Sequence, residues 1–225
     1  VGTSEIDTSV AMDGGIDKVV GDVIKSNSVV LLNLSDESPK LQDKAVREAI
    51  CLSVNTEEMT AASYGVLGIT ATSPYATGLL GYEDGHTYEY NPEKARQILA
   101  DAGYKDGDIE LFFLSANTTE LYAIAETLQS YLSEIGINLT VESGSIATVN
   151  GIIREDPLAS DFIINRQMDG IPDGEPWFSI YVYGDNYVFP QSARQNDPEL
   201  QEYLDVLEFS LDEDARIQAS KAVQA

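Results

Sequence analysis

The chain has 225 residues, with 38 acidic side chains against 13 basic ones and a formal net charge of −25. That excess repels polyanions and so excludes nucleic acid and anionic membrane surfaces as partners, and no run approaches the roughly 18–20 apolar residues of a membrane span. A hydrophobic fraction of 43% is enough for a core, while one cysteine and one histidine exclude an internal disulfide, a cysteine cluster and a His-rich metal site.

The chain opens Val1-Gly2-Thr3, with neither an initiator Met nor a signal peptide. It reads as a piece of a longer protein. Ser28–Leu34 (SVVLLNL) is a short apolar, β-branched run and predicts a buried strand. Asp43 is placed to cap a helix through Ser53, with Val46, Ala49, Ile50 and Val54 on one face. Glu57–Ser63 predicts a second short helix, stopped by Gly65. Residues 65–90 are rich in Gly, Thr, Pro and Tyr and predict a long ordered loop. Asn91 then caps a helix with Pro92 at its first position, and Gly103 supplies the left-handed stop.

Ile109–Ser115 (IELFFLS) predicts the second strong strand. Asn117 is placed to cap the next helix, with Glu120 three residues on as in a capping box. The apolar stripe of that helix is Leu121, Ile124, Ala125, Leu128, Leu132 and Ile135, and Gly136 ends it. Ile137–Glu142 (INLTVE) alternates with period two, a strand pattern. Ser145–Arg154 predicts a helix and Asp161–Asn165 (DFIIN) a short buried strand. Residues 167–196 are irregular. Asp197-Pro198 opens a helix to about Phe209, and Asp212 caps a last one. Strand and helix periods alternate along the chain, so the fold class is α/β.

Scans for catalytic and cofactor motifs are negative: there is no P-loop, GxGxxG, HExxH or GxSxG, and no cofactor is expected. His86, in Asp84-Gly85-His86-Thr87, reads as an ordinary surface residue. Cys51, between Ile50 and Leu52, reads as a buried small apolar side chain. Thirty-eight acids make many carboxylate pairs, so pairing alone does not single out a hydrolase. The irregular segment is richer in chemistry. Asp169, Asp173, Glu175, Trp177, Phe178, Tyr181, Tyr183, Tyr187 and Phe189 combine fixed carboxylates with aromatic faces. That combination suits an ammonium-bearing or sugar-like ligand, and equally suits aromatics that pin a long loop.

Leu41-Gln42-Asp43-Lys44-Ala45-Val46-Arg47-Glu48-Ala49-Ile50, followed by Val54-Asn55-Thr56-Glu57-Glu58-Met59, resembles the D-x-x-VR-x-A signature of family 5 extracellular solute-binding proteins. These are the oligopeptide-, dipeptide- and nickel-binding components of ABC importers. Tyr90-Asn91-Pro92-Glu93-Lys94-Ala95, with Ala102-Gly103-Tyr104 and Gly107, resembles the family's Y-D-P-x-K-A … A-G-Y-x-x-G motif. Gln129 with Ile135-Gly136-Ile137 is similar to its Q-x-x-L-x-x-I-G-I segment, and Ser4-Glu5-Ile6-Asp7 to its G-E-I-D start. Asn55 and Asn91 stand where the family usually has Asp; both keep the short capping side chain.

The resemblance implies a type II periplasmic-binding-protein-like lobe with a mixed central sheet flanked by helices. It implies that residues 1–225 are one ligand-binding lobe, the C-terminal lobe of a two-lobed protein about twice this length. Residues 1–27 and 210–225 would lie near the interlobe crossings. It further implies capture of a small solute, a short peptide first and an oligosaccharide as the alternative, outside the cell. A carboxylate-based hydrolase is the competing class. Implied partners are the ligand, the ABC permease subunits and the missing N-terminal lobe; this piece itself inserts in no membrane. The implied location is periplasmic or extracellular, with a lipoprotein anchor in the parent. By the same resemblance Asp169, then Asp173, would hold a peptide's amino group. Arg166 and Arg154 would face a carboxylate, and Trp177 would stack on ligand side chains.

Overall fold

The computed structural model describes residues 27–32, 41–65, 68–73, 75, 79–85, 87–156, 158–167 and 198–224. Within them the elements run β1 (Asn27–Leu32), α1 (Lys44–Ser53), α2 (Thr56–Tyr64), α3 (Pro92–Asp101), β2 (Glu110–Ala116), α4 (Thr119–Glu134), β3 (Asn138–Gly144), α5 (Ile146–Glu155), β4 (Phe162–Gln167), α6 (Pro198–Phe209) and α7 (Glu213–Gln224). Each expected element that lies in described residues is present. Ser4–Asp7, His86, the 168–196 segment and the Asp197 cap lie outside them.

Local side-chain chemistry fixes the helix starts. The Asp43 carboxylate accepts the Ala45 N–H at 2.8 Å, and Asn91 Oδ1 accepts the Lys94 N–H at 2.9 Å with Pro92 behind it. Asn55 caps α2 through the Glu58 N–H at 3.2 Å. The expected Asn117 cap on α4 is displaced by one residue: Thr118 is extended and its Oγ1 accepts the Leu121 N–H. Asn117 instead continues the end of β2, its N–H donating to the Gly144 carbonyl at 2.8 Å. Gly136 closes α4 at φ +81°, where a side chain would be strained.

The strands pair in two ladders. β2 and β3 run parallel, Glu110 opposite Asn138 through Ala116 opposite Gly144. β1 and β4 run antiparallel, Asn27 opposite Gln167 through Leu32 opposite Phe162. The mixed sheet is therefore present as two pairs. Side chains at the start of β4 join them. The Asp161 carboxylate accepts the Phe112 N–H at 2.8 Å, the Asp161 N–H donates to the Phe112 carbonyl at 2.8 Å, and Ser160 Oγ accepts the Leu114 N–H at 3.0 Å. Phe162 packs on Phe113 with ring centroids 5.4 Å apart, and Ile163 shares a cluster with Leu114. Phe112 with Asp161 and Phe113 with Phe162 step forward together, so β4 sets out alongside β2 in the same direction, without a ladder between them.

Alternation along β2 splits the core between two faces. Leu111 and Phe113 join Leu128 and Leu132 of α4, Val46 and Ile50 of α1, and Leu99 of α3 on one face. Leu114 joins Val149 and Ile153 of α5 on the other, with Phe112 packed against them. Leu128 and Leu132 are buried as expected. Leu121 is half-buried, not buried, because it sits in the first turn of α4 at the rim of the sheet. Cys51 is likewise half-buried. Burial nonetheless pushes its thiol pKa up, against Arg47, which suppresses thiolate reactivity.

Candidate functional site at the carboxyl edge of the sheet

In an α/β sheet the carboxyl ends of parallel strands deliver chain, helix N-termini and loops to one edge. Here β2 ends at Ala116 and β3 at Gly144, tied together by the Asn117 N–H to Gly144 carbonyl bond. Because β4 runs with β2, it ends at the same edge, at Gln167, and the antiparallel β1 begins there, at Asn27. α4 leaves this edge over one face and α5 over the other. Two crossovers that depart on opposite faces create a switch point beside β2, the place at which such sheets take ligands.

Both helices present their N-termini to this edge. Thr118 caps α4, and Ser145 Oγ accepts the Thr148 N–H at 3.1 Å at the start of α5. Each helix dipole places a partial positive charge at this edge, offset at α4 by Glu120 in its first turn. Ile146, the first residue of α5, is 52% exposed. It continues the Val149–Ile153 stripe by one turn, but its side chain is left open to solvent at this edge. Sequence reading missed Ile146. Its signal was an apolar residue directly behind the Gly144-Ser145 strand end and cap.

The sequence-derived candidates divide. Arg166 lies in β4, opposite Ser28 and one residue before the carboxyl end. Arg154 is exposed in the last turn of α5, about 12 Å along the helix from its start, and so points away from this edge. There a cation complements the helix C-terminus. Asp169, Asp173 and Trp177 lie outside the described residues. Among the described residues, no three His, Cys, Asp or Glu side chains come together to hold a metal. An open groove of about 590 Å³ runs between α4 and β3, past Glu126, Gln129, Ser133, Glu134, Ile137 and Leu139. It lies at the amino end of β3, away from the switch point. Gln129 Nε2 already donates to the Leu139 carbonyl there, at 2.6 Å.

Comparison with known proteins gives the arrangement a family. Residues 5–189 match the model of the bacterial extracellular solute-binding proteins, family 5. The chain belongs to that family. A Brucella ovis relative, named for peptide binding in an ABC transporter, is 28% identical over 136 residues, 58% of this chain and 26% of the relative. The Haemophilus influenzae heme-binding protein A is 25% identical over 185 residues, 80% of this chain and 34% of that protein. A dipeptide-binding protein from Pseudoalteromonas sp. SM9913, solved with Met-Leu, aligns with a TM-score of 0.81 at 21% identity over 98% of this chain and 44% of that one. Family 5 architecture is thus shared over nearly all of this chain, which spans a quarter to a third of the curated relatives' length. The fold is the type II periplasmic-binding-protein α/β class.

Proposed function

We propose that this chain is the C-terminal lobe of the substrate-binding component of an ABC importer, and that the whole protein captures a short peptide outside the cell and delivers it to a membrane permease. The observation that carries the reading is the family match over residues 5–189; the carboxyl ends of parallel strands such as β2 and β3 are where sheets of this class take ligands. The family and the structures this chain resembles are binding proteins. On this reading the lobe performs no chemical step.

The ligand sits between this edge and a second lobe, and closure is favoured because only the closed state completes both sets of contacts. Asp169 follows Gln167, the last residue of β4, by two positions in the sequence. It pairs with the peptide's amino terminus, with Asp173 as the alternative. Trp177 and Ile146 supply apolar surface, and Arg166 meets a carboxylate. An ammonium–carboxylate pair strengthens as closure removes water. The family's extracellular character supports a location outside the cytoplasm, with a lipid anchor holding the parent to the membrane.

Mass spectrometry of ligand co-purifying with the full-length protein tests the reading. A short peptide is expected. A tetrapyrrole or an oligosaccharide would retain the binding role and overturn the peptide. Turnover in a hydrolase screen would overturn the binding class. A parent gene lacking any export signal would contradict the location.

A further inference from the structure

We propose that Thr72, Ser73, Tyr75 and residues 79–84, the described part of the 72–84 stretch, form with α6 and α7 a strap that opens as one cooperative unit ahead of the sheet core, and that the side-chain amide of Gln224 is its latch. Of the packing centres among the described residues, the strap's and the main one share no side chain. Seventeen buried apolar residues, from Leu41 to Phe162, surround the sheet and α1, α3 and α4. Six others, Tyr75, Leu79, Leu204, Leu207, Ala219 and Val223, join the 72–84 stretch to α6 and α7. A centre of that size holds few contacts against the entropy of the segments it orders, which puts it at the low end of the stability range within a molecule.

Polar contacts of long sequence separation close it. Gln224 is only 6% exposed. Its Oε1 accepts from Ser73 Oγ at 2.6 Å and from the Glu83 N–H at 3.2 Å. Its Nε2 donates to the Gly81 carbonyl at 2.8 Å and to the Ser220 carbonyl at 2.9 Å. Both acceptor sites and both donor hydrogens of the amide are therefore used, and three of the four bonds reach back 141 to 151 residues. Gly81, at φ +73°, lets the stretch touch α7: a Cβ there would lie 2.3 Å from Ser220 Cβ. The Lys221–Glu83 pair at 3.4 Å is solvent-exposed and adds little. Losing the amide leaves the Gly81 carbonyl and the Glu83 N–H without this partner, so the strap opens more often while the sheet core is untouched.

Hydrogen exchange on the full chain tests this, comparing the parent with Gln224→Ala. In the parent, amides of α6, α7 and 81–83 should exchange together and faster than those of β2 and α4. Gln224→Ala should speed the first set roughly tenfold and leave the second unchanged. Ser73→Ala, which removes one of the four amide bonds of Gln224 and also the acceptor of the Tyr75 N–H, should give the same pattern if Gln224→Ala fails to fold. Equal protection of α6, α7, β2 and α4 in the parent, or acceleration spread evenly over all of them, would overturn the proposal.

Discussion

Asp161 and Phe112 exchange two hydrogen bonds across the gap between the two strand pairs: the Phe112 N–H donates to the Asp161 carboxylate and the Asp161 N–H donates to the Phe112 carbonyl, each at 2.8 Å. A side chain here takes the place of a ladder acceptor. It lets β4 start beside β2 while Phe162 still reaches Phe113, and it thereby sets which strand ends meet at the carboxyl edge.

Asp161→Ala should cost about 1–3 kcal/mol, since it removes the acceptor of a part-buried N–H. Asp161→Asn, which keeps an oxygen in place, should cost less. Urea unfolding of the two variants gives the ordering; equal midpoints for parent and Asp161→Ala would show that the junction contributes nothing.

Leu128 lies against the sheet, 3% exposed. Leu128→Ala should destabilise by about 2–5 kcal/mol. Ile146→Ala, at a rim position half open to solvent, should change stability by no more than about 0.5 kcal/mol while weakening ligand binding in the full-length protein. Thermal and calorimetric measurements on the same two variants separate a core role from a crevice role.

Tyr131 donates to Glu58 Oε2 at 2.7 Å. Burial first, then that hydrogen bond and the Glu58 charge, hold its phenol pKa well above the ordinary value. The unfolded chain gives up this proton near pH 10, before the folded chain does. Its contribution is therefore full below about pH 10 and falls as pH rises beyond it. Tyr131→Phe should lower stability at neutral pH by about 1 kcal/mol and flatten the alkaline decline, read from unfolding curves between about pH 8 and 11.

Much of this architecture was legible because its signals are local. Asp43, Asn91 and Gly136 announce helix ends through side-chain oxygen and left-handed backbone, and the helical period is visible in the spacing of Ile124, Leu128 and Leu132. Non-local features were not legible. Thr118 takes the α4 cap while Asn117 stays with the strand end, tied to Gly144, a residue beyond the whole of α4. The second packing centre hides in the 65–90 stretch, where Tyr75 and Leu79 are buried without any period. At the candidate site, a carboxylate-and-aromatic segment was visible in composition, whereas the rim position of Ile146 and the departure of Arg154 from the edge needed the strand directions.

On the proposed reading, Asp169 or Asp173, both of which follow β4 in the sequence, holds the amino terminus of a bound peptide. Calorimetry on the full-length protein with a panel of short peptides, comparing the parent with Asp169→Asn and Asp173→Asn, tests it most directly. The parent should bind, and one of the two variants should lose about 2–5 kcal/mol of binding, because the ammonium is left in a closed cleft without its partner. Undiminished peptide binding by both variants would contradict the claim.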